Sequence, residues 1–179
     1  MNLKDKLLVD TDVLIDYLAV DFYKPSGLVL KNFKTEDESV DYGASEFTIN
    51  SRFVKFRVGK ITPKKVGQFV TFWKRIGKGP ILPYDLSDSF DFLVVSVHAE
   101  KHFGQFVFPK AVLCEKGVLS CNGKGGKRAI RVYPPWDDTD NSQARKTKDW
   151  QLRYFINFSE DNFDCARMRH LFDILHLQK

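Results

Sequence analysis

Long apolar runs are missing from this sequence of 179 residues. Even its longest apolar stretches are short, such as Phe92 to Val95. They fall far below the roughly 20 residues that a membrane helix needs. The first ten residues alternate charged and apolar side chains and lack a cleavage site of small residues, so they do not resemble a secretory signal. We therefore expect a cytoplasmic protein that does not contact a membrane.

Cysteine and histidine are too scarce, and wrongly spaced, to predict a metal site. Cys114, Cys121 and Cys165 are an odd number of thiols whose spacing fits neither a disulfide framework nor paired zinc ligands. We predict that all three are reduced and mostly buried. The four histidines do not pair at a metal-binding interval with a third ligand. We therefore expect no metal and no cofactor.

The short patterns that mark common catalytic sites are absent too. The sequence contains no Gly-x-Ser-x-Gly turn, no phosphate loop ending in Lys-Ser or Lys-Thr, and no dinucleotide fingerprint. Residues 123–127, Gly-Lys-Gly-Gly-Lys, lack the spacing of a phosphate loop and fit a hairpin tip that contacts anions. These absences favour a binding function over catalysis.

Acidic residues are missing from two stretches of the chain. Residues 51–80 contain nine bases and no acid, whereas residues 1–50 contain ten acids and five bases. Residues 122–136 are again free of acids and contain Lys124, Lys127, Arg128 and Arg131. Either these bases are solvated faces balanced by the acidic N-terminal third, or both clusters form one positive groove that binds phosphates.

We favour the groove and predict a non-catalytic protein that binds nucleic acid. The candidate contacts are Lys55, Arg57, Lys60, Lys64, Lys65, Lys74, Arg75, Lys127, Arg128 and Arg131. Phosphate contacts position a protein without reading bases, so binding should depend on salt more than on sequence. We also predict that the bases at 55, 57 and 60 share a face with those at 127, 128 and 131. Like-charged patches gain nothing by converging unless an anion lies between them.

The apolar pattern predicts one α/β domain of the α+β type, with a central mixed or antiparallel curved sheet and flanking helices. Hydrophobic residues make up 43% of the chain, including sixteen phenylalanines, which is enough for a core. We expect a helical lead-in over residues 1–40, a core over about residues 42–155, and a C-terminal helix over residues 160–177.

Alternation of apolar and polar residues places the strands. Residues 44–49 and 52–60 predict a hairpin closed by a two-residue polar turn, with Lys55 and Arg57 on its solvent face. Further strands are expected over residues 67–75, 90–97 and 103–108. Thr62-Pro63 favours a helical turn, and residues 142–155 favour a helix whose Arg145, Lys146 and Lys148 extend the groove.

Several ordered segments resemble the MepB family of bacterial proteins. They are FRVGKITPKKVGQFVTFWKR, FDFLVVSV, HFGQFVFPKAVLCEKGVLS, GKRAIRVYPPWD and QARKTKDWQLRYF, and the match runs over about residues 42–155. The resemblance implies a pattern of Lys60, Thr62, Pro63, Gly67, Phe69, Trp73, Gly104, Phe108, Pro109, Arg131, Tyr133, Pro134 and Trp136. The family is named for a gene beside a multidrug efflux pump, which implies a further hypothesis, an accessory binding protein linked to efflux.

The predicted order of helix, hairpin and strands is also similar to restriction-endonuclease-like nucleases, which hold a metal with an Asp and an acid-x-Lys. Asp91 opens a strand as such an aspartate does, and Glu46 and Lys60 complete the least implausible catalytic set. Neither Lys60 nor Lys110 has an acid two positions before it, so Mg²⁺ would lack a carboxylate. We keep a metal-dependent nuclease as the alternative function.

Overall fold

The computed structural model of the chain describes residues 10–158 and 163–173. The strands are β1 Leu30–Thr35, β2 Ser45–Ile49, β3 Arg52–Val58, β4 Lys60–Thr62, β5 Lys65–Thr71, β6 Trp73–Arg75, β7 Ile81–Pro83, β8 Phe92–Ala99, β9 His102–Pro109, β10 Ser120–Cys121, β11 Lys124–Gly125, β12 Ala129–Val132 and β13 Phe155–Asn157. The helices are α1 Thr11–Leu18, α2 Lys110–Glu115, α3 Ser142–Gln151 and α4 Cys165–Asp173. Shorter helical turns cover Ala19–Tyr23, Val40–Tyr42 and Leu152–Tyr154.

A six-stranded sheet forms the centre of the molecule. Its order is β1-β2-β3-β8-β9-β13, and its neighbours are antiparallel except for the parallel pair β3 and β8. The predicted mixed sheet is therefore confirmed. The predicted hairpin is β2 and β3, whose turn residues Asn50 and Ser51 have φ of 44° and 69°. Two successive positive φ angles are typical of a type I′ turn, whose twist matches that of the strands.

Both faces of the central sheet are covered. Side chains of β8 alternate, so that Phe92 and Val94 pack in the core beneath α1 and α4, whereas Leu93 and Val95 pack in a second core with β5, β12 and α2. The second core lies beneath a three-stranded sheet of order β12-β5-β4. Because a strand with two covered faces exposes neither set of side chains, the polar residues of β3 also meet protein.

The predicted helical segments are present only in part, since residues 30–35 of the predicted helical lead-in form strand β1 instead. Asp10 caps α1 by accepting a hydrogen bond of 3.0 Å from the backbone N–H of Asp12, and the predicted apolar face of α1 is buried. The helix predicted over residues 142–155 ends earlier, because Phe155 enters β13. Residues 1–9, 159–162 and 174–179, which contain parts of both terminal helix predictions, lie outside the described residues.

The helical turn predicted at Thr62-Pro63 is wrong. Thr62 pairs with Lys65 across the tight turn that joins β4 to β5. The fixed φ of proline suits the second position of a β-turn as well as the first turn of a helix. The choice between the two therefore depends on the strands that flank it.

None of the helices in the described ranges is long and apolar enough to cross a membrane.

The three cysteines are free thiols, but the predicted burial is wrong for one of them. Cys121 is exposed, whereas Cys114 and Cys165 are partly exposed. Cys121 ends the short strand β10, which pairs with β11 in a hairpin at the surface. A cysteine at the rim of such a hairpin meets solvent because no second layer covers it.

Candidate binding groove

A groove of about 490 Å³ lies between helix α3 and the sheet formed by β5 and β12. Its volume falls within the range of roughly 300–1,000 Å³ that is usual for ligand sites. Phe69 of β5 and Arg131 of β12 are register partners and contribute to its floor. The segment that follows α2 adds Lys116 and Val118 to the rim. Elements from four separate parts of the chain therefore build one concave surface.

Among residues 10–158 and 163–173, the side chains that line this groove are basic, aromatic or neutral, and no acid is among them. We define the basic groove by its five bases and three aromatic residues, which are Lys65, Lys116, Lys127, Arg131, Lys146, Phe69, Tyr133 and Trp150. A cleft lined by charges of one sign focuses the electric field and raises the local concentration of ions of the opposite sign. The groove therefore attracts anions.

Most of these charges have no acidic partner within the part of the chain that the structure describes. Among the described residues, Lys65, Lys127 and Lys146 make no ion pair within 4.0 Å. Lys116 contacts Glu115 at 2.7 Å, at the exposed end of α2. An ion pair between exposed neighbouring residues is weak, so a ligand can replace Glu115 as the partner of Lys116. The charge of the groove is therefore available to a ligand.

Arg131 both contributes charge and braces the turn beside it. Its Nη1 donates hydrogen bonds of 2.8 Å to the carbonyl of Gly67 and 3.1 Å to Oγ1 of Thr62. Its Cζ lies 5.6 Å from the centre of the Phe69 ring, within reach of a cation–π interaction. These contacts fix the β4–β5 turn, and with it the position of Lys65 at the rim.

Helix α3 forms the opposite wall because its spacing turns one stripe of side chains inward. Gln143, Lys146, Thr147 and Trp150 recur at intervals of three and four residues and all line the groove. The buried Gln151 joins the helix to β12, since its Oε1 accepts 2.9 Å from the N–H of Tyr133. Its Nε2 donates 3.0 Å to the carbonyl of Arg131. The wall is therefore tied to the floor through main-chain groups.

Gly67 permits the close packing of this floor. Its φ is +84°, and a Cβ there would lie 2.7 Å from the Tyr133 ring and 2.9 Å from Cγ of Arg131. We expect Gly67→Ala to cost about 2–4 kcal/mol in urea unfolding, from about 1–2 kcal/mol for the left-handed backbone and the rest for overpacking. Gly27→Ala is the matched control, because Gly27 has φ of +73° and no atom within 4 Å of its Cβ position. Equal losses in the two variants would contradict the collision.

A different surface collects four of the predicted phosphate contacts. Lys55 Nζ lies 2.5 Å from Glu36 Oε1 and 2.8 Å from Glu46 Oε2. Arg57 Nη1 lies 2.6 Å from Glu36 Oε2, and its side chain is 1% exposed. We call Glu36, Glu46, Lys55 and Arg57 the acid–base cluster. The prediction that both bases face solvent is therefore wrong.

The second layer explains this error. The predicted alternation along β3 is right, but the three-stranded sheet covers the face that holds the bases. Arg57 Nε donates 3.3 Å to the carbonyl of Thr71, and its Cζ lies 5.7 Å from the Phe72 ring. Two further predicted contacts are paired as well, since Lys74 lies 2.5 Å from Asp88 and Arg75 lies 2.7 Å from Glu38. Acids from distant parts of the sequence neutralise all four.

The comparisons with known proteins agree with the segments quoted above. The profile of the MepB-like family matches residues 36–157. The chain belongs to the MepB-like family. Among solved structures, one described as the crystal structure of MepB is 32% identical and superimposes with a TM-score of 0.72, covering 85% of this chain and 99% of that chain. No curated protein matches the chain.

Part of the MepB-like pattern predicted from sequence lies at the groove. Phe69, Arg131 and Tyr133 line it, and Gly67 and Thr62 contact Arg131. Another pattern residue, Trp136, stacks on His102 with ring centres 5.0 Å apart and so fixes the segment between β12 and α3. Lys148 anchors the same segment rather than extending the groove, since its Nζ donates 2.6 Å to the carbonyl of Asp137.

The structure brings together three of the ten predicted contacts, Lys65, Lys127 and Arg131. Lys60, Lys64 and Arg128 are exposed but do not line the groove. Lys146 does line it, as the helix prediction implied, whereas Arg145 does not. Lys116 was missed because its neighbour Glu115 suggests a neutral surface. The aromatic lining was also missed, because Tyr133 and Trp150 lie within basic segments but the sequence does not show that their rings turn towards one groove.

The residues of the alternative nuclease site lie apart in this MepB-like fold. Asp91 Oδ2 accepts 2.8 Å from the N–H of Phe53 near the start of β3, whereas Lys60 follows the other end of that strand. Glu46 holds Lys55, whose ammonium lies between two carboxylates where a divalent cation would otherwise sit. The described residues contain no cluster of three or more potential metal ligands from His, Cys, Asp and Glu. A restriction-endonuclease-like site stays a prediction.

The acid–base cluster should make stability depend on pH. The hydrogen bond from Lys55 lowers the pKa of Glu46. A carboxylate with a lowered pKa stabilises the fold above its ordinary pKa and loses that effect as pH falls through the lowered value. Burial opposes the charge of Lys55, but hydrogen bonds to Glu36 and Glu46 outweigh it and raise the pKa of Lys55. That contribution is complete below the ordinary pKa of lysine and is lost as pH rises through the raised value.

We therefore expect Glu46→Gln to lower the urea midpoint at pH 7, with a difference from the unchanged protein that shrinks towards about pH 3. As pH falls, the unchanged protein loses the carboxylate charge as well. Urea titrations at several pH values measure the difference directly. A difference that stays constant across this range would contradict a role for the Glu46 charge.

Proposed function

We propose that this protein binds nucleic acid through the basic groove, by contacts to phosphates and without catalysis. The observation that carries the proposal is the lining of the groove, in which five bases and no acid surround one concave surface. Each basic side chain that replaces condensed counterions at a phosphate of the nucleic acid gives an entropic gain when those ions are released. The lysines that have no ion-pair partner among the described residues are available for such contacts.

Aromatic side chains support a polymer of bases over a simple inorganic anion. Trp150, Tyr133 and Phe69 share the groove with the charges, and aromatic rings stack on bases of any sequence. Lys116 Nζ lies 6.0 Å from the centre of the Trp150 ring, so a charge and a stacking surface are adjacent. Their adjacency suits a ligand in which phosphates alternate with flat rings.

The absence of catalysis is part of the proposal. Cleavage by a metal-dependent nuclease needs carboxylates that are free to bind metal. Glu46 instead contacts Lys55, and Asp91 accepts a backbone hydrogen bond. A role beside an efflux pump rests on the family name alone, and a cationic groove repels the cationic drugs that such a role implies. Nucleic acid is therefore the ligand that we propose.

Fluorescence anisotropy with labelled oligonucleotides of DNA and RNA, single-stranded and duplex, tests this function. With three to five phosphate contacts we expect the logarithm of affinity to fall with the logarithm of salt at a slope of about −2 to −4.5. Different sequences should bind with similar affinity. No binding at low salt would overturn the proposal. Cleavage with Mg²⁺ or Mn²⁺ that disappears in Asp91→Asn would overturn its non-catalytic part.

A further inference from the structure

Two of the three thiols meet at the edge of the basic groove. Cys114 Sγ, on helix α2, lies 3.2 Å from Cys121 Sγ at the end of β10. A disulfide needs an S–S distance of about 2.05 Å, so roughly 1.2 Å of approach separates the thiols from a bond. Rotation about two side-chain bonds supplies such a movement without a change of fold.

The fold holds both cysteines in place. Helix α2 is anchored by the buried Val112 and Leu113. On the other side, the N–H of Ser120 donates 2.9 Å to the carbonyl of Tyr84, and Ser120 Oγ donates 2.7 Å to Asp85 Oδ2. The two thiols therefore face each other in the folded chain without a further loss of backbone freedom. This arrangement gives each sulfur a high effective concentration near the other.

We infer that Cys114 and Cys121 form a reversible dithiol–disulfide site that is oxidised by peroxides. The inference does not depend on the proposed binding function. Cys121 is exposed and accessible to an oxidant, whereas Cys114 is partly covered. Cys121 is therefore the residue oxidised first, and Cys114 is the resolving residue.

The chemistry balances in two steps. The Cys121 thiolate attacks one oxygen of hydrogen peroxide, the O–O bond breaks, and the leaving hydroxide takes a proton to give water and a sulfenic acid. The Cys114 thiolate then attacks the sulfenic sulfur, and the S–O bond breaks to release a second water. Two thiols lose two electrons to become a disulfide, and the peroxide gains them. A reducing dithiol reverses the reaction by exchange.

Proximity, rather than thiolate activation, favours this reaction. The hydrogen bond with Cys114 raises the pKa of Cys121, so the thiol form predominates at neutral pH. The first step should therefore be slow, and the second should be fast because the partner sulfur is already in contact. Little sulfenic acid should accumulate before the disulfide forms.

The site also has a defined position relative to the groove. Lys116 and Val118 lie between the two cysteines in sequence, and both line the groove. The backbone of this segment is already folded back, since the N–H of Val118 donates 2.8 Å to the carbonyl of Leu113. A disulfide would close a short covalent ring around the part of the chain that carries Lys116.

Free-thiol titration after treatment with hydrogen peroxide tests the inference. We expect the unchanged chain to keep one of its three thiols and Cys165→Ser to keep none, with peptide mapping showing a link between residues 114 and 121. Cys121→Ser should keep both remaining thiols over the same period. Dithiothreitol should restore all lost thiols. Disulfide formation in the native chain should be at least about tenfold faster than in the urea-unfolded chain.

Other outcomes would overturn the inference. They are a link that involves Cys165 or a second chain, thiol loss in Cys121→Ser at the rate of the unchanged chain, and equal rates in native and unfolded chains. Cys165 serves as the internal control because it is partly exposed, as Cys114 is. Loss of the Cys165 thiol at the same rate as the other two would show general oxidation and would count against a paired site.

Discussion

Arg57→Met should lower the free energy of unfolding by roughly 3–5 kcal/mol, the usual cost of removing one partner of a buried ion pair. Arg57 is 1% exposed and contacts Glu36, which is itself mostly buried. Methionine fills most of the volume but supplies neither the charge nor the hydrogen bond to the carbonyl of Phe56, which is 2.8 Å from Nη1. Glu36 would keep Lys55 as its remaining basic partner. Urea unfolding at neutral pH measures the loss.

The control is Arg75→Met, which breaks a pair of the same chemical type. Arg75 contacts Glu38 at 2.7 Å, but the two side chains are 34% and 45% exposed. Solvent screens such a pair, so we expect a loss of about 1 kcal/mol or less. Similar losses in the two variants would show that burial does not set the cost.

A double variant separates the pair from the packing. If the unpaired carboxylate causes the loss, Arg57→Met combined with Glu36→Gln should be more stable than Arg57→Met alone, since no acceptor charge is left in the interior. Glu36 also contacts Lys55, so the recovery should be partial. The alternative is that Glu36→Gln lowers stability by the same amount in the Arg57→Met variant as in the unchanged protein. That result would show that the two residues do not interact.

The combined variant Lys65→Gln, Lys127→Gln and Lys146→Gln should weaken nucleic-acid binding on the order of 100-fold at low salt. Three contacts of about 1 kcal/mol each give this change. The slope of affinity against salt should become shallower by about 2 to 3, because three fewer counterions are released. Anisotropy titrations at several salt concentrations give both values. The three lysines are exposed, so the fold should be unaffected.

A matched variant removes the same charge from elsewhere. Lys24, Lys31 and Lys78 are exposed and do not line the groove. Their replacement by glutamine gives a variant with the same net charge as the triple variant of the groove. We expect this variant to bind nearly as tightly as the unchanged protein. Equal losses in the two triple variants would show that net charge, rather than the groove, attracts the ligand, and would refute the assignment of the site. Arg131 is left unchanged because it braces the β4–β5 turn.

The elements of this fold followed from local patterns, and the site followed from them only in part. The hairpin of β2 and β3 was predictable because alternation and turn residues act over a few positions. The burial and pairing of Arg57 were not predictable, since they depend on a second sheet layer and on Glu36 from a distant part of the chain. Periodicity shows which side chains share a face, but it does not show what covers that face.

The two explanations for the acid-free stretches both apply, to different residues. Lys55, Arg57, Lys74 and Arg75 are balanced by acids, as the solvated-face explanation requires in part. Lys65, Lys127 and Arg131 converge, as the groove explanation requires. Sequence alone could not divide the stretch, because Lys64 and Lys65 are neighbours and only one of them lines the groove. The division depends on which side chains of β5 and of the turn before it face the groove.

The amide of Gln151 has a consequence for how the groove responds to its surroundings. The two hydrogen bonds that join α3 to β12 run from an uncharged side chain to the main chain at Tyr133 and Arg131. Neutral amides do not titrate, and salt screens them far less than it screens ion pairs. Changes in salt or pH should therefore leave these two hydrogen bonds, and the groove width that they set, unchanged. Salt and acid can change how strongly a ligand is attracted while leaving unchanged the shape that it must fit.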